Sequence, residues 1–464
     1  MNGTRTAWAA LGGDPALLSR VSSVVRDGAL PARLPVIGLS RACVGACALA
    51  AAELAAARTG HAVPRVRVDD GAVATAFTSE RHLLVDGRAP VAFAPLSRFW
   101  PTVDGWVRTH ANYPRHRAAL TAALGLAPDE ASVDAVAARL AERSAAEVER
   151  TVYAAGGLAV ALRSPEEWAA HPQGAAVAGL PLLRRGRIGA DGTAGRPLPP
   201  LTTGPARPAE GLRVLDLTRV IAGPVATRTL ALLGADVLRV DAPGLPELPD
   251  QHADTGFGKR STALDLGGPA DRRVFDELLA RADVVVTGYR PGALDRFGLR
   301  PEALAERVPG VVLAQLSAWG DEGPWAERRG FDSLVQAATG IAAVEGTPER
   351  PGALPAQALD HGTGYLLAAA VLRALTEREA HGGTAHVRLA LARTAAWLMN
   401  GEGDEGGADV ERAEAYADPA AWLTATDGPL GRLRHAVTPI AFGDEPLNWA
   451  RPPGRWGADR PRWR

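Results

Sequence analysis

Several kinds of residue are scarce in this sequence, and each scarcity removes a class of site. The 464 residues include only two cysteines, Cys43 and Cys47, which lie four positions apart in an Ala-rich stretch. This excludes a disulfide framework and a zinc site of paired cysteines, so we expect both thiols to pack as small apolar groups. The histidines His110, His116 and His171 have no carboxylate or cysteine cluster at ligand spacing, and no metal site is predicted.

An excess of charge of one sign is missing as well. The 51 Lys and Arg residues against 52 Asp and Glu residues leave a net charge of -1, which gives no general attraction to nucleic acid or to an anionic membrane. An anionic ligand must therefore be held by a local group of cations. Almost all of the cations are Arg, and Lys259 is the only lysine in the chain, which makes it a candidate ligand-binding residue.

Leader-like and membrane-spanning patterns are also lacking. Residues 1–5 show no basic stretch followed by an apolar one, as a secretory leader would. No uninterrupted apolar run reaches the ~20 residues that cross a bilayer. We therefore expect a cytoplasmic protein without a membrane or nucleic-acid partner.

The length predicts more than one folded unit, because single hydrophobic cores stop growing at about 250–300 residues. Proline is dense between residues 197 and 210, and such a composition favours an extended connection. The predicted units are an N-terminal helical segment (1–95), a smaller, mostly helical domain (96–196), a linker (197–210), a second-half domain (211–400) and a C-terminal loop and arm (401–464). We expect that arm to be docked on the surface of the protein itself.

The second half alternates between strand-like and helix-like segments. Residues 212–217 read as a strand, 222–233 as a helix and 237–240 as the next strand. This alternation predicts an α/β fold with a doubly wound, mostly parallel sheet whose ligand lies at the carboxyl ends of the strands. Asp241, at the end of the second strand, could contact a ribose, but the first turn lacks the G-x-G-x-x-G pattern of a dinucleotide site.

The stretch from Gln357 to Gly364 is the strongest candidate site. Asp360 stands before a long apolar helix, where it serves either as a helix cap or as a nucleophile. A helix N-terminus favours an anion, and its free N–H groups can stabilise an oxyanion. Gly362 and Gly364 would leave room for a bulky ligand near the backbone, because glycine has no Cβ.

Five motifs in the second half carry a resemblance to a known family. They occur in unbroken order at Arg219–Pro224, Gly234–Val237, Gly258–Ser261, Tyr289–Gly292 and Gly320–Pro324. Together they resemble the family III CoA-transferases, which include the formyl-CoA and carnitine CoA-transferases. The small domain of that family ordinarily follows the catalytic half. Here residues 99–125 and 162–174 resemble that domain and precede the catalytic half, so the domain order is rearranged.

The resemblance implies a chemical role for Asp360. Its carboxylate would attack an acyl-CoA thioester to form a mixed anhydride, and the released thiolate would convert the anhydride to an aspartyl-CoA thioester. A free carboxylic acid would then take the CoA. Coenzyme A is thus the implied co-substrate, acyl-CoA and carboxylic acids are the implied partners, and a homodimer is the implied assembly.

The resemblance also implies a set of CoA-binding residues. Lys259, Arg290 and Arg296 would lie near the phosphates or ribose of CoA, although exposed cations of this kind are also common on solvated surfaces. Residues that would line the rest of the CoA path are Val220, Ile221, Ala222, Gly223, Pro224 and Tyr289, with Gly362 and Gly364 beside the thioester.

Two departures from the family pattern keep other functions open. Asp241, Ala242 and Pro243 stand where the family often carries a basic residue for the nucleotide. Phe331 replaces the histidine that the related α-methylacyl-CoA racemases use to move a proton, and phenylalanine cannot do so. The alternatives to a CoA-transferase are therefore a racemase-like enzyme and a catalytically silent acyl-CoA-binding protein.

An internal repeat is a further hypothesis. Residues 66–68 align with residues 387–389, an offset of 321 that also lays the helix at 36–57 on the helix after Asp360. At this offset Leu39 aligns with Asp360. The N-terminal segment would be a second copy of the catalytic helix region that has lost its carboxylate, unless the two helices are merely alike in being Ala-rich.

Overall fold

The computed structural model describes residues 3–91, 93–189, 197–198, 200–201, 207–347, 349–381, 383–401, 410–442 and 445–464. Most of the predicted linker and of the predicted loop after residue 401 lies outside the described residues.

The strands are numbered along the chain. They are β1 (Val21–Val25), β2 (Val66–Asp69), β3 (Leu84–Val85), β4 (Phe99–Thr102), β5 (Gly105–Thr109), β6 (Ala159–Ala161), β7 (Leu183–Ile188), β8 (Arg213–Leu217), β9 (Asp236–Asp241), β10 (Arg260–Ala263), β11 (Val284–Thr287), β12 (Val312–Ser317), β13 (Thr384–Ala390), β14 (Val410–Arg412), β15 (Leu423–Gly428), β16 (Gly431–Ala436), β17 (Ala441–Phe442) and β18 (Glu445–Pro446).

The helices are numbered in the same way. They are α1 (Gly3–Ala10), α2 (Val36–Thr59), α3 (Asp70–Phe77), α4 (Ser79–His82), α5 (Pro114–Ala123), α6 (Val133–Ala141), α7 (Ala145–Ala154), α8 (Pro165–Ala170), α9 (Pro172–Ala178), α10 (Ala222–Leu232), α11 (Pro249–Thr255), α12 (Pro269–Leu279), α13 (Pro301–Arg307), α14 (Asp332–Ala338), α15 (Ile341–Val344), α16 (Ala358–His381) and α17 (Leu391–Met399). Short 3-10 helices occupy Pro15–Arg20, Asp295–Phe297 and Pro419–Trp422.

The second half is built on a seven-stranded sheet with the order β10-β9-β8-β11-β12-β13-β7. All neighbouring strands are parallel except β13 and β7. The prediction of an α/β fold with a mostly parallel sheet is confirmed. The order of the strands reverses between β8 and β11, and ligands of open parallel sheets bind at such a reversal.

The smaller domain contains more strand than the sequence predicted. Helices α5 to α9 are accompanied by a three-stranded antiparallel sheet of β4, β5 and β6. Strand β7 falls within the range 96–196 predicted for this domain, but it pairs with β13 of the large sheet. The small domain therefore returns to the large sheet before the second half begins.

Three consecutive elements of the first half have counterparts at the end of the second half. At the offset of 321, α2 aligns with α16, β2 with β13 and α3 with α17. Strand β2 has β1 as a parallel neighbour and β17 as an antiparallel one, just as β13 has β12 and β7. The two segments thus share their packing environments, which supports the hypothesis of a repeat.

Helices α2 and α16 pack against each other at the centre of the molecule. Both are rich in Ala, which lets two helix backbones approach closely. Helix α2 is long and apolar enough to cross a membrane, but 89% of its 18-residue window is buried within the protein. Leu39, which aligns with Asp360 at the offset of 321, is buried in this core.

The two glycines beside Asp360 serve this packing, which corrects their predicted role in binding the ligand. A Cβ on Gly362 would lie 3.3 Å from Cys43 Sγ of α2, and a Cβ on Gly364 would lie 2.5 Å from the carbonyl oxygen of Ala222 in α10. The space that glycine leaves is filled by neighbouring helices, so it does not accommodate a thioester.

The C-terminal tail is docked on the protein as predicted, but the segment before it is not a loop and arm, because its strands β14, β16 and β17 pair with β1, β3 and β2 of the first half. The indole of Trp449 donates a hydrogen bond to the Arg228 carbonyl at 3.0 Å. The buried indole of Trp463 donates to the Leu278 carbonyl at 3.0 Å. The arm therefore covers both α10 and α12 of the second half.

We predict that Gly364→Ala lowers the free energy of unfolding by about 1–3 kcal/mol, because the added methyl group overlaps α10 where the backbone cannot yield cheaply. Urea unfolding of the variant measures the effect. Gly179→Ala is the matched control, since a Cβ at Gly179 meets nothing within 4 Å. Equal stability of the Gly364→Ala variant and the native protein would contradict the packing role.

Candidate active site

Asp360 is not the residue that caps its helix. It is the third residue of α16, and its own N–H donates to Asp332 Oδ2 at 2.9 Å. The Asp332 carboxylate also accepts a backbone hydrogen bond from Leu359, so Asp332 satisfies the free N–H groups of this helix start. The helix-cap alternative for Asp360 is therefore wrong, and its side chain is not used to cap α16.

Asp332 is itself held by α14 and the loop before α16. Gln336 donates from Nε2 to Asp332 Oδ1, and the Gln336 side-chain oxygen accepts the N–H of Leu354 at 2.9 Å. Burial raises the pKa of Asp332 to about 6, although the hydrogen bonds from Asp360 and Gln336 act against that rise. The sequence analysis assigned Asp332 no role.

The Asp360 carboxylate faces a cavity of ≈ 230 Å³, which we call the Asp360 cavity. No described side chain donates a hydrogen bond to the Asp360 carboxylate. Burial raises the pKa of Asp360 well above its usual range, and the nearby carboxylates Asp332 and Glu80 raise it further. A carboxylate in such surroundings is poorly stabilised as an anion.

Both halves of the chain line the Asp360 cavity. The lining residues include Glu80, His110, Asn112 and Tyr113 from the first half, with Val220, Ile221, Phe331 and Asp332 from the second. Glu80 lies just beyond α3 and contacts the residue after Asp360, since Glu80 Oε2 is 3.4 Å from His361 Nε2. Phe77 stacks on the same imidazole at 5.2 Å. The first half thus contacts the start of α16.

A second cavity of ≈ 590 Å³ adjoins the first, because Tyr113, Val220 and Phe331 line both. It lies at the carboxyl ends of β8, β9, β11 and β12, where the order of the strands reverses. We call it the arginine cavity after its six lining arginines. They are Arg115, Arg219, Arg290, Arg296, Arg328 and Arg329.

The arginine cavity is built for an anion. Burial lowers the pKa of Arg115, and the like charges of Arg219 and Arg329 lower it further. Among the described residues, no carboxylate forms an ion pair with Arg115, Arg290, Arg296 or Arg329. Crowded cations without counter-ions attract a ligand of opposite charge, such as a phosphate group. The predicted residues Tyr289, Arg290 and Arg296 do line this cavity.

Lys259 has a different role from the predicted one. The residue is 3% exposed, and its ammonium group donates to Asp216 Oδ2 at 3.1 Å and to the Pro224 carbonyl at 2.8 Å. Burial lowers the pKa of Lys259 to about 8, against the opposing effect of Asp216. Lys259 therefore ties the start of α10 to the sheet and does not line either cavity.

The motif at residues 220–224 is divided in function. Val220 and Ile221 line the Asp360 cavity, whereas Ala222, Gly223 and Pro224 are buried in the first turn of α10, which corrects their predicted place along the CoA path. Val220 has a φ of 71°, a strained value for a β-branched residue. Its N–H donates to Glu247 Oε2 at 3.0 Å, which holds the strain where the two cavities meet.

No basic residue follows β9, but a cation from another element lies near this place. Asp241, which stands at the position in question, is buried and paired with Arg239 at 2.8 Å. Arg115, from the small domain, lines the same cavity. Sequence reasoning missed Arg115 and Glu80, because both lie in the other half of the chain. Of the site residues that it missed, only those from Arg328 to Asp332 form a contiguous run in the sequence.

The residues that the structure describes offer no cluster of side chains for a metal ion. Within those residues, no group of three or more His, Cys, Asp or Glu side chains is placed to hold a metal ion.

Comparison with known proteins identifies the second half. Residues 209–414 match the model of CoA-transferase family III. A probable fatty acyl-CoA transferase of Mycobacterium tuberculosis is 37% identical over 212 residues, with 43% of this chain and 54% of that relative covered. A formyl-CoA:oxalate CoA-transferase of Streptomyces coelicolor is 36% identical over 198 residues, with 40% of this chain and 48% of the relative covered.

A solved structure aligns with the same part of the chain. The crystal structure of a hypothetical protein from Mycobacterium tuberculosis is 37% identical and covers 42% of this chain and 58% of its own, with a TM-score of 0.40. The chain spans about half the length of the curated relatives it matches.

The matched residues 209–414 contain Asp332, Asp360 and five of the six arginines of the arginine cavity. They also contain all five motifs on which the resemblance was based. The predicted resemblance is confirmed, because this segment of the chain matches the model of CoA-transferase family III.

Proposed function

We propose that this protein moves CoA from an acyl-CoA to a free carboxylic acid, with Asp360 as the covalent nucleophile. The observation that carries the proposal is that Asp332 caps α16 in place of Asp360, which leaves the Asp360 carboxylate facing a cavity. That cavity joins the arginine cavity, where the phosphates of CoA would bind.

In the first step the Asp360 carboxylate attacks the thioester carbonyl, and CoA leaves as a thiolate, so that a mixed anhydride forms. The thiolate then attacks the Asp360 carbonyl of the anhydride, which releases the donor acid and forms the aspartyl-CoA thioester. An acceptor carboxylate attacks this thioester and forms a second anhydride. The thiolate attacks its acyl carbonyl, which yields the new acyl-CoA and free Asp360.

The charges around Asp360 favour this covalent chemistry. Asp332 and Glu80 oppose the negative charge of Asp360. Acylation of Asp360 removes that charge and with it the repulsion, so the anhydride and the thioester are relieved of a strain that the free carboxylate bears. Asp332 therefore acts both as the cap of α16 and as a repulsive neighbour.

A second candidate is proton transfer at the α-carbon of an acyl-CoA, as in the racemase alternative. It is favoured by one observation, that the His110 ring stacks on Phe331 with centroids 3.7 Å apart. A histidine from the first half thus lies beside the residue that replaces the racemase histidine. Burial, together with the charges of His116 and Arg108, lowers the pKa of His110 to about 3, so it would serve only as a neutral group.

We predict that Asp360→Asn abolishes covalent labelling and lowers CoA transfer by ~10⁴-fold or more, as the loss of a covalent nucleophile does. Intact-protein mass spectrometry after incubation with acyl-CoAs measures the adduct on Asp360. A silent acyl-CoA-binding protein would give no adduct in the native chain, and transfer that survives in the Asp360→Asn variant would contradict the proposal.

We predict that the activity falls as the pH is lowered, with a midpoint above the value of about 4 that is ordinary for aspartate. Only the ionised carboxylate attacks, so activity is present above the raised pKa of Asp360 and is lost below it. The pH profile of kcat/KM measures the midpoint. The charged groups that face Asp360 are Asp332, Glu80 and the Glu80 partner His361.

Removal of one of these charges provides the control. Glu80→Gln is expected to shift the midpoint to lower pH, because a like charge beside Asp360 is lost. Asp250→Asn removes another carboxylate that lines the same cavity but is paired with Arg88, and the midpoint is expected to stay in place. A midpoint at or below 4 in the native protein would contradict the electrostatic account.

We predict no exchange of the α-proton of a bound acyl-CoA with solvent deuterium at a rate comparable to CoA transfer. The transferase proposal needs no such exchange, whereas the racemase alternative requires it. Proton NMR of a 2-methylacyl-CoA incubated in D₂O measures it. Exchange that is lost in a His110→Phe variant would favour the racemase alternative.

A further inference from the structure

Arg108 is a buried cation without a counter-ion. It lies in β5 and is 9% exposed. No carboxylate of the described residues pairs with it, and its Nε has no hydrogen-bond partner. Burial, together with the like charge of Arg98, lowers the pKa of Arg108 to about 10.

Two aromatic rings offset part of the cost of this charge. The Arg108 guanidinium carbon is 5.1 Å from the centroid of the Phe93 ring and 5.2 Å from that of Phe99. Such contacts attract a cation, but they do not use its N–H groups. A guanidinium that is withdrawn from water and lacks an acid is a site for an anion, which a carboxylate fills with two parallel hydrogen bonds.

Arg108 lines a cavity of ≈ 550 Å³, which we call the Arg108 cavity. Glu345 is an acid on its wall, but that carboxylate already accepts the N–H groups of Arg33 and Leu34 at 3.1 and 2.9 Å. Arg81 and Arg350 line the cavity as well. The wall therefore offers more positive charge than its own acid neutralises.

The Arg108 cavity adjoins the Asp360 cavity. Arg81, Phe93, Ser333 and Gln357 line both. Gln336, on the wall of the Arg108 cavity, is the residue that binds Asp332. A ligand with its reacting group at Asp360 thus has a cationic pocket beside it, separate from the arginine cavity.

We propose that Arg108 binds the second carboxylate of a dicarboxylic acid, or of its CoA thioester, whose first carboxyl carbon reacts at Asp360. This proposal rests on the proposed CoA-transfer function. A monocarboxylic acid would leave the Arg108 guanidinium buried and unpaired. A site built to bond a charged group discriminates strongly against an analogue that lacks it.

The test compares acceptor acids of equal chain length, succinate with butyrate, glutarate with pentanoate, and adipate with hexanoate. We expect kcat/KM to favour the dicarboxylate in at least one pair by ~10- to 100-fold. Arg108→Met is expected to bring that ratio close to one while transfer to the monocarboxylate is retained. Arg108→Lys, which keeps the charge but not the fork of two N–H groups, is expected to retain part of the preference.

Arg98→Met is the matched control, since Arg98 is the neighbouring cation, is exposed and lines none of the three cavities. It is expected to keep the native ratio. Circular dichroism melting of each variant separates loss of fold from loss of preference. A native ratio near one, or an equal loss of both acids in Arg108→Met and Arg108→Lys, would overturn the proposal.

Failure of the CoA-transfer proposal gives a different result. In that case no acyl-CoA labels Asp360 and no acid is converted. Isothermal titration calorimetry of the native protein and the Arg108→Met variant with the same dicarboxylates then decides the matter. Binding that the native protein alone shows supports the Arg108 site, and equal binding, or none by the native protein, overturns it.

Discussion

The hydrogen bond from the Asp360 N–H to the Asp332 carboxylate is the contact on which the site depends. The start of any helix leaves N–H groups that need an acceptor, and in α16 the acceptor comes from α14. Because that need is met from outside, the Asp360 side chain is not bound to its own helix. The same contact places two carboxylates close together in a buried place. Burial raises the pKa of both, and the charge of Asp332 raises that of Asp360 further.

The fold tolerates this destabilising pair because it is anchored in the largest core of the protein. Helix α16 is buried between α2 and α10, and its glycines let those helices come close. A strained or poorly solvated group persists only where its surroundings are firmly packed. The apolar face of α2, with Leu39 in the position equivalent to Asp360, provides such packing.

The first half of the chain is therefore part of the site. Glu80 contacts the start of α16, and His110, Tyr113 and Arg115 line the two cavities. If the N-terminal segment is a repeat that lost its carboxylate, what it kept is the surface that packs against the active copy.

Much of the second half followed from local pattern. The strand predicted at 212–217 is β8 (Arg213–Leu217), and the helix predicted at 222–233 is α10 (Ala222–Leu232), because the apolar periodicity of each segment favours one structure. Arg290 and Arg296 line the arginine cavity, and their contact with CoA stays a prediction. Lys259 does not, because a residue type that is rare in a sequence says nothing about the direction in which its side chain points.

The sequence by itself determined the α/β class, the order of strands and helices in the second half, and Asp360 as the candidate nucleophile, since these depend on short-range periodicity and on motifs contiguous in the chain. Tertiary structure alone decided that Asp332 caps α16, that the glycines serve helix packing, and that Glu80, Arg108 and Arg115 come close to the site. The physical reason is that burial and charge proximity arise between residues far apart in sequence. A hydrogen bond across 28 positions, or an ion at the junction of two domains, leaves no periodic trace in either segment.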